Sequence, residues 1–441
     1  MLDALIDASF RHAARGTMRL GPSEGIAHVP DTPVFLYLHV PFCEVLCPYC
    51  SFHRVRYEED KARQYFSALR REIRRYHEGG YVFNGIYVGG GTPTVLPEEL
   101  AATLALVREL NPGLREASVE TNPKDLRDDV LKMLEDAGVS RLSVGVQTFD
   151  DGLLREMVRL EKYGGRAEIL DRLDAAAGRF QTLNVDMIWN LPHQTAAMLE
   201  ADLDTLLGSP ANQASFYPLM TSPGAARKIA RTLGLPGHGH IRGFYRRILA
   251  RLDGAFVPTS AWCFTRGANG IDEYIVDAAN YVGLGSGAFS YVDSTLYATT
   301  FSLKAYVELI ERGLTGITGE RRLGERQRMR YDLLVRLFSL RLEKEWVRAR
   351  YQHRFERVLA PELLGLKVMG AVVEDERGWS LTQRGMFLWV RMMSAFFESV
   401  DAFREQMRRH ARDELGGGAA GEYLVPLAAI RHGPAGIRRT H

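Results

Sequence analysis

The sequence predicts an α/β fold: a partial (β/α)6 barrel of parallel strands with a C-terminal helical, winged-helix-like domain. Three observations lead there. Short apolar runs alternate with charge-rich helical runs from residue 34 to about residue 219, the pattern of parallel strands joined by right-handed crossovers. Polar and glycine motifs fall at the C-terminal ends of the apolar runs, where barrels of this kind collect function. After about Arg322 the texture becomes strongly helical and rich in Arg and Leu.

The elements follow in order. Residues 34–40 read as a buried strand and the charged stretch 58–77 as a helix. Residues 85–88 are a short strand, and 97–110 a helix with Pro97 in its first turn. A strand at 117–120 precedes a helix at 126–137 that Gly138 stops. A strand at 141–146 leads to a helix from about Asp150. A strand at 183–188, a helix near 197–207 and a sixth strand at 214–219 complete the alternation. Spacing alone leaves open whether the sheet closes. Beyond it, 326–342 and 347–363 read as helices, 378–382 as a strand of a β-wing and 386–409 as another helix. The glycine-rich run 416–421 reads as a flexible linker. Four segments result: an N-terminal extension 1–33, a core barrel with its extension 34–300, a helical domain 301–415 and a flexible tail 416–441.

Composition narrows the function. With 46% apolar and 25% charged residues and a formal net charge of +2, the chain resembles an ordinary globular protein and has no charge imbalance that would suit nucleic acid. The winged-helix-like region is therefore expected to act as a lid or packing element. No apolar run reaches the roughly 18 residues that a membrane span needs. No basic segment followed by an apolar one opens the chain, so a cytoplasmic protein is expected.

Three of the four cysteines, Cys43, Cys47 and Cys50, fall in a Cys-x3-Cys-x2-Cys motif directly after the first strand. Clustered cysteines in a cytosolic chain bind metal or do redox work more often than they form disulfides. Thiolates converging from one tight loop suit a [4Fe–4S] cubane. With no fourth cysteine nearby, one iron stays open to chelate a small molecule through an amine and a carboxylate. A structural zinc site completed by His39 or His53 is the other chemistry this set allows. The second strand closes on Gly89–Thr94, a run of glycines that lets a backbone approach a ligand. Glu120, Gln147 and Asp186 stand at or near strand ends, with Arg159 on the following helix. Carboxylates suit ribose hydroxyls, and an arginine suits a carboxylate.

Cys-x3-Cys-x2-Cys after Tyr-x-His-x-Pro-Phe resembles the radical S-adenosylmethionine superfamily, and in particular the oxygen-independent coproporphyrinogen III oxidase family and its relatives. The resemblance is strong from Val34 to Tyr291 and loose beyond. It implies an oxidoreductase with a [4Fe–4S] cluster that cleaves S-adenosylmethionine to a 5′-deoxyadenosyl radical, in porphyrin biosynthesis. It assigns Tyr37, Gly90 and Glu120 to a first S-adenosylmethionine. It assigns Tyr49, Gly91, Thr92, Gln147, Arg159 and Asp186 to a second, and Phe289 to a backbone-contact position. It further implies a reduced flavodoxin or ferredoxin-type electron donor and a small-molecule substrate.

Three departures from the family pattern stand out. Ser51-Phe52-His53 follows the motif where another cysteine is common. The N-terminal arm lacks the family's substrate motifs. Around Arg159 only the arginine of a Gly-Arg-x-His-like pattern remains. Two relatives compete for the functional reading. Radical C-methyltransferases and cyclopropanases use both S-adenosylmethionine molecules. A haem chaperone carries a His-Asn-x-x-Tyr-Trp stretch, but this chain has no histidine between His240 and His353 and reads Gly267 to Tyr274 in the corresponding place.

Overall fold

The computed structural model describes residues 16–415 and 423–427, apart from 22, 24, 27, 221–222, 235–239 and 268–279. At its centre six parallel strands lie side by side in chain order: β1 (Val34–Val40), β2 (Phe83–Gly90), β3 (Glu116–Thr121), β4 (Arg141–Gln147), β5 (Thr182–Trp189) and β6 (Gln213–Pro218). Helices cross between them at Glu59–Glu78, Pro97–Leu110, Asp128–Asp136, Arg166–Ala175 and Ala196–Gly208. The first of these begins with Glu59 and Asp60 and ends with Arg75 and His77, charges that oppose the helix dipole at each end.

Side chains alternate across a strand, and here the two faces differ sharply. One set, including Leu38, Val88, Val119, Val144 and Val185, is fully buried in the apolar core. It packs with Phe66, Leu69 and Ile73 of the first crossover helix. The other set is polar. Arg141 bonds to Gln213, and Ser143, Asn184, Asp186 and Ser215 form a second side-chain network. Barrel interiors are usually filled with branched apolar residues, so this concave face is shaped for something other than packing.

The sheet does not close among the described residues; both edges are extended. Beyond β6, Cys263–Thr265 adds antiparallel. Beyond β1, Tyr281–Leu284 adds in parallel, and an antiparallel run of Phe289–Val292, Thr295–Thr299 and Ile317–Arg322 follows. Gly16–Leu20 comes next, and Tyr423–Leu427 pairs with it. Part of the expected flexible tail is thus a strand; 416–422 and 428–441 lie outside the described residues.

The C-terminal region wraps helices Glu325–Phe338, Lys344–Tyr351, Ala360–Val368 and Gln383–Leu415 around a three-stranded sheet with Gly378–Leu381 at its centre. The helix expected over 326–342 stops at Phe338. Leu340 adopts φ 71°, a left-handed turn of the kind that ends helices, and Arg341–Glu343 becomes a strand. No helix among the described residues is long and apolar enough to cross a membrane.

Candidate functional site

The C-terminal ends of the strands open onto a cavity of about 470 Å³. Cys43, Cys47 and Cys50 line it, together with Tyr37, Tyr49, Gly90, Gly91 and Thr92. Glu120, Gln147, Arg159, Asp186 and Phe289 line it as well. All the candidate residues read from the sequence therefore meet at one place. The fourth cysteine, Cys263, is buried, and Ser215 Oγ lies 3.8 Å from its sulfur. It is not among the lining residues.

The cysteine loop is held by cations and by the glycine turn. Arg54 Nη2 donates to the carbonyls of Cys47 and Cys50 at 2.5 and 2.7 Å. Thr92 Oγ1 lies 3.8 Å from Cys43 Sγ, and Arg159 Nη1 lies 3.7 Å from Cys47 Sγ. Burial pushes the Cys43 thiol up to about 12, so a bound cation is what would keep it as thiolate. Gly91 N and Thr92 N donate to the carbonyls of Val40 and Phe42, both at 2.8 Å, which stitches the turn to the cysteine strand. Gly90 has φ 114°, and a Cβ there would stand 2.5 Å from the His39 ring.

The donor set fits a cubane better than a single ion. Three thiols from one tight loop suit a cubane that keeps one iron open. The histidines that a zinc site would need are engaged elsewhere. His39 Nδ1 meets Tyr37 Oη at 2.9 Å and its Nε2 meets the His53 carbonyl at 2.8 Å. His53 Nε2 meets Ser286 Oγ at 3.1 Å.

Two buried carboxylates face the cavity. Glu120 accepts from Tyr87 Oη at 2.8 Å and from Gly90 N at 3.0 Å. Burial, with the charge of Asp186 nearby, pushes it up to about 6. Asp186 accepts from Ser143 Oγ and Asn184 Nδ2, both at 2.8 Å. Burial raises it too, and Arg141 opposes the rise.

Gln147 sits where β4 bulges against β5, with φ 77°. A non-glycine residue held in the left-handed region marks a constrained position. Arg159 lies in the break between helices Asp151–Glu156 and Leu160–Tyr163, rather than inside a helix as the sequence suggested. Val158 before it is β-branched and adopts φ 59°, which swings Arg159 inward. The Arg159 guanidinium donates to Tyr49 Oη at 3.2 Å and to the Gly145 carbonyl, and its Nε has no partner among the described residues.

The far wall of the cavity was not visible in the sequence. Gln327, Arg330, Tyr331 and Leu334 recur at helical spacing on Glu325–Phe338 and line it from one face. Arg321, Trp262, Phe396 and Phe397 join them. Arg330 is tied to Glu362 at 2.6 Å. The helical region thus contributes a wall of the cavity.

With this geometry in view, the comparisons are specific. Residues 37–206 match the family described as the Radical SAM superfamily. The chain carries a radical SAM domain. This superfamily uses a [4Fe–4S] cluster, S-adenosylmethionine and a reduced electron donor. The radical SAM domain and its flanks are 28% identical over 387 residues to a haem chaperone of Bacillus subtilis, covering 82% of this chain and 98% of that protein. They are 26% identical over 424 residues to the oxygen-independent coproporphyrinogen III oxidase of Escherichia coli, covering 88% and 90%. The solved coproporphyrinogen III oxidase structure from Escherichia coli superposes with a TM-score of 0.72 at 24% identity over 89% of this chain. The radical SAM domain and the helical region share that fold.

Proposed function

We propose that this protein is a radical S-adenosylmethionine enzyme that holds its cluster on Cys43, Cys47 and Cys50 and acts on a tetrapyrrole, in the manner of oxygen-independent coproporphyrinogen III oxidases. The observation that carries this reading is the convergence of the three thiols, the glycine turn and the buried carboxylates on one cavity. When bound, the cluster supplies the electron that splits S-adenosylmethionine into methionine and a hydrogen-abstracting 5′-deoxyadenosyl radical.

The chain's own residues bind, orient and exclude water. Thr92 and Arg159 brace the thiolate sulfurs, and Arg54 fixes the loop backbone. Glu120, with Tyr37 and the Gly90 backbone, receives the hydroxyls and ammonium of the ligand at the open iron. Asp186, Gln147, Arg159, Tyr49, Gly91 and Thr92 receive a second molecule. Phe289 and the aromatic far wall cover the rings of the substrate, and Arg321 and Arg330 stand on the same wall to meet its carboxylates. An oxygen-labile cluster fed by reduced flavodoxin or ferredoxin suits a cytoplasmic setting.

The test is anaerobic turnover of the reconstituted protein with coproporphyrinogen III, following 5′-deoxyadenosine and the decarboxylated porphyrinogen together. Both should appear. S-adenosylhomocysteine or methylthioadenosine as the main product would overturn decarboxylation in favour of radical C-methylation or cyclopropanation. A second reading, a haem chaperone, is favoured by the 98% coverage of the Bacillus subtilis protein. The missing histidine between His240 and His353 argues against it, although residues 268–274 of the corresponding stretch lie outside the described residues. A haem titration should give no one-to-one complex; a tight one, with no turnover, would make this protein a carrier.

A further inference from the structure

The concave face holds one charge that neither the sequence nor the proposed ligand contacts use. Arg141 opens β4, is 1% exposed, and belongs to the polar set of side chains. Its Nε donates to Gln213 Oε1 at 2.8 Å, and Gln213 Nε2 donates to Thr265 Oγ1 at 3.1 Å. Its Nη1 is buried without a hydrogen-bond partner. The guanidinium carbon lies 6.0 Å from the centre of the Tyr87 ring, and Tyr87 donates to Glu120. A buried arginine with an unsatisfied donor is costly, so its position asks for a reason.

Its neighbours supply one. Two buried carboxylates cannot both stay ionised near each other without a cation. Two carboxylates and one guanidinium leave the face with a net negative charge, which suits a ligand carrying a sulfonium and an ammonium. Among the described residues the titratable groups around this trio include Tyr37, Tyr87, Tyr217 and Cys263, with His39 behind the Gly90 turn, bonded to Tyr37 Oη and the His53 carbonyl.

We propose that Arg141 is a positioning residue, an internal cation beneath the cavity that holds Glu120 and Asp186 together as carboxylate acceptors for S-adenosylmethionine. The inference rests on the S-adenosylmethionine reading above. It adds a residue that never touches the ligand.

The experiment is the pH dependence of S-adenosylmethionine binding to the anaerobic, cluster-loaded protein without reductant. In the wild type, affinity should fall as pH drops through about 6, the Glu120 value, because protonation removes the acceptor. Glu120→Gln should abolish that midpoint. Arg141→Met should move it up by about one unit, which is roughly a twofold loss of affinity at about pH 7 and approaches tenfold only below about pH 5. Arg141→Lys keeps the cation while losing the planar fork, and should leave the midpoint in place. If Lys shifts the midpoint as far as Met, or if Met leaves it unchanged, the proposal fails. Should Arg141→Met not fold, Arg141→Gln against Arg141→Lys makes the same comparison. The carboxylate infrared band removed by Glu120→Gln gives a readout free of ligand, and its midpoint should follow the same order. If S-adenosylmethionine does not bind at all, the functional reading falls, and the infrared titration still decides on Arg141.

Discussion

The two walls of the cavity are built differently. The wall at the cysteines comes from residues 37–189, at strand ends and tight turns, and its polar groups are fixed by short hydrogen bonds to backbone. The opposite wall comes from residues 262–400 and is largely aromatic and aliphatic, with Arg321 and Arg330 at intervals. A wall held by backbone geometry tolerates little change and suits a reaction step that every substrate shares. A wall made of side chains on one helix face can be rewritten by substitution, which is where a choice of substrate would be expected to sit.

Substitutions should separate the walls. The largest effect is expected at the cysteines. Cys43→Ala, Cys47→Ala or Cys50→Ala should each abolish the roughly four irons and four sulfides of a cubane, measured by iron and sulfide analysis after anaerobic purification. Cys263→Ala should keep them; loss of iron there would mean that the cluster is not confined to the loop.

Next come the carboxylates. Glu120→Ala should depress 5′-deoxyadenosine formation even without substrate. Asp186→Ala removes one charge-assisted acceptor, about 1.5–3 kcal/mol or roughly tenfold or more in affinity. Labelled S-adenosylmethionine should bind at about two equivalents to wild type and nearer one to the variant, with reductive cleavage intact. A wild type that saturates at one would leave Asp186 as a substrate ligand.

Gln147→Gly relieves a left-handed backbone but adds unfolded-state entropy, so stability should stay within about 1 kcal/mol while S-adenosylmethionine affinity falls. Equal losses of stability and affinity would make the bulge merely structural. The smallest effect is expected on the far wall. Tyr331→Phe keeps the ring 4.5 Å from Tyr291 and deletes a hydroxyl that bonds Tyr281. Substrate KM should change with no change in substrate-free cleavage of S-adenosylmethionine; a fall in that cleavage would erase the distinction between the walls.

The same contrast explains what could be read from the sequence. The six parallel strands were legible because each is an apolar run bounded by a helix, and Glu120, Gln147 and Asp186 because they stand next to strand ends, whereas Tyr37, Tyr49 and Phe289 came only from the family resemblance. The polar half of the alternation was also present, in Arg141-Leu142-Ser143-Val144-Gly145 and Asn184-Val185-Asp186, but a fully buried parallel strand is expected to be apolar throughout, which hides it. The antiparallel extension was missed for a local reason. Phe289–Val292 and Thr295–Thr299 are joined through Asp293 and Ser294, both with positive φ, without the Asn-Gly or Asp-Gly pair that announces such a turn. The far wall was missed because a stripe at 327, 330, 331 and 334 looks like any amphipathic helix until the barrel is set against it.

One contact also sets an order of events. His53, which follows the cysteine loop, meets Ser286 Oγ across 233 residues of chain. A Cβ on Gly287 would come within 2.5 Å of the His53 ring, so the two segments fit only as they are. On a ribosome adding about 5–20 residues per second, His53 emerges roughly 10–50 seconds before the segment that packs on it. The braces from Arg54, Thr92 and Arg159 can form within that interval, but the His53 contact behind the loop is made only after the late glycine segment has folded back on it.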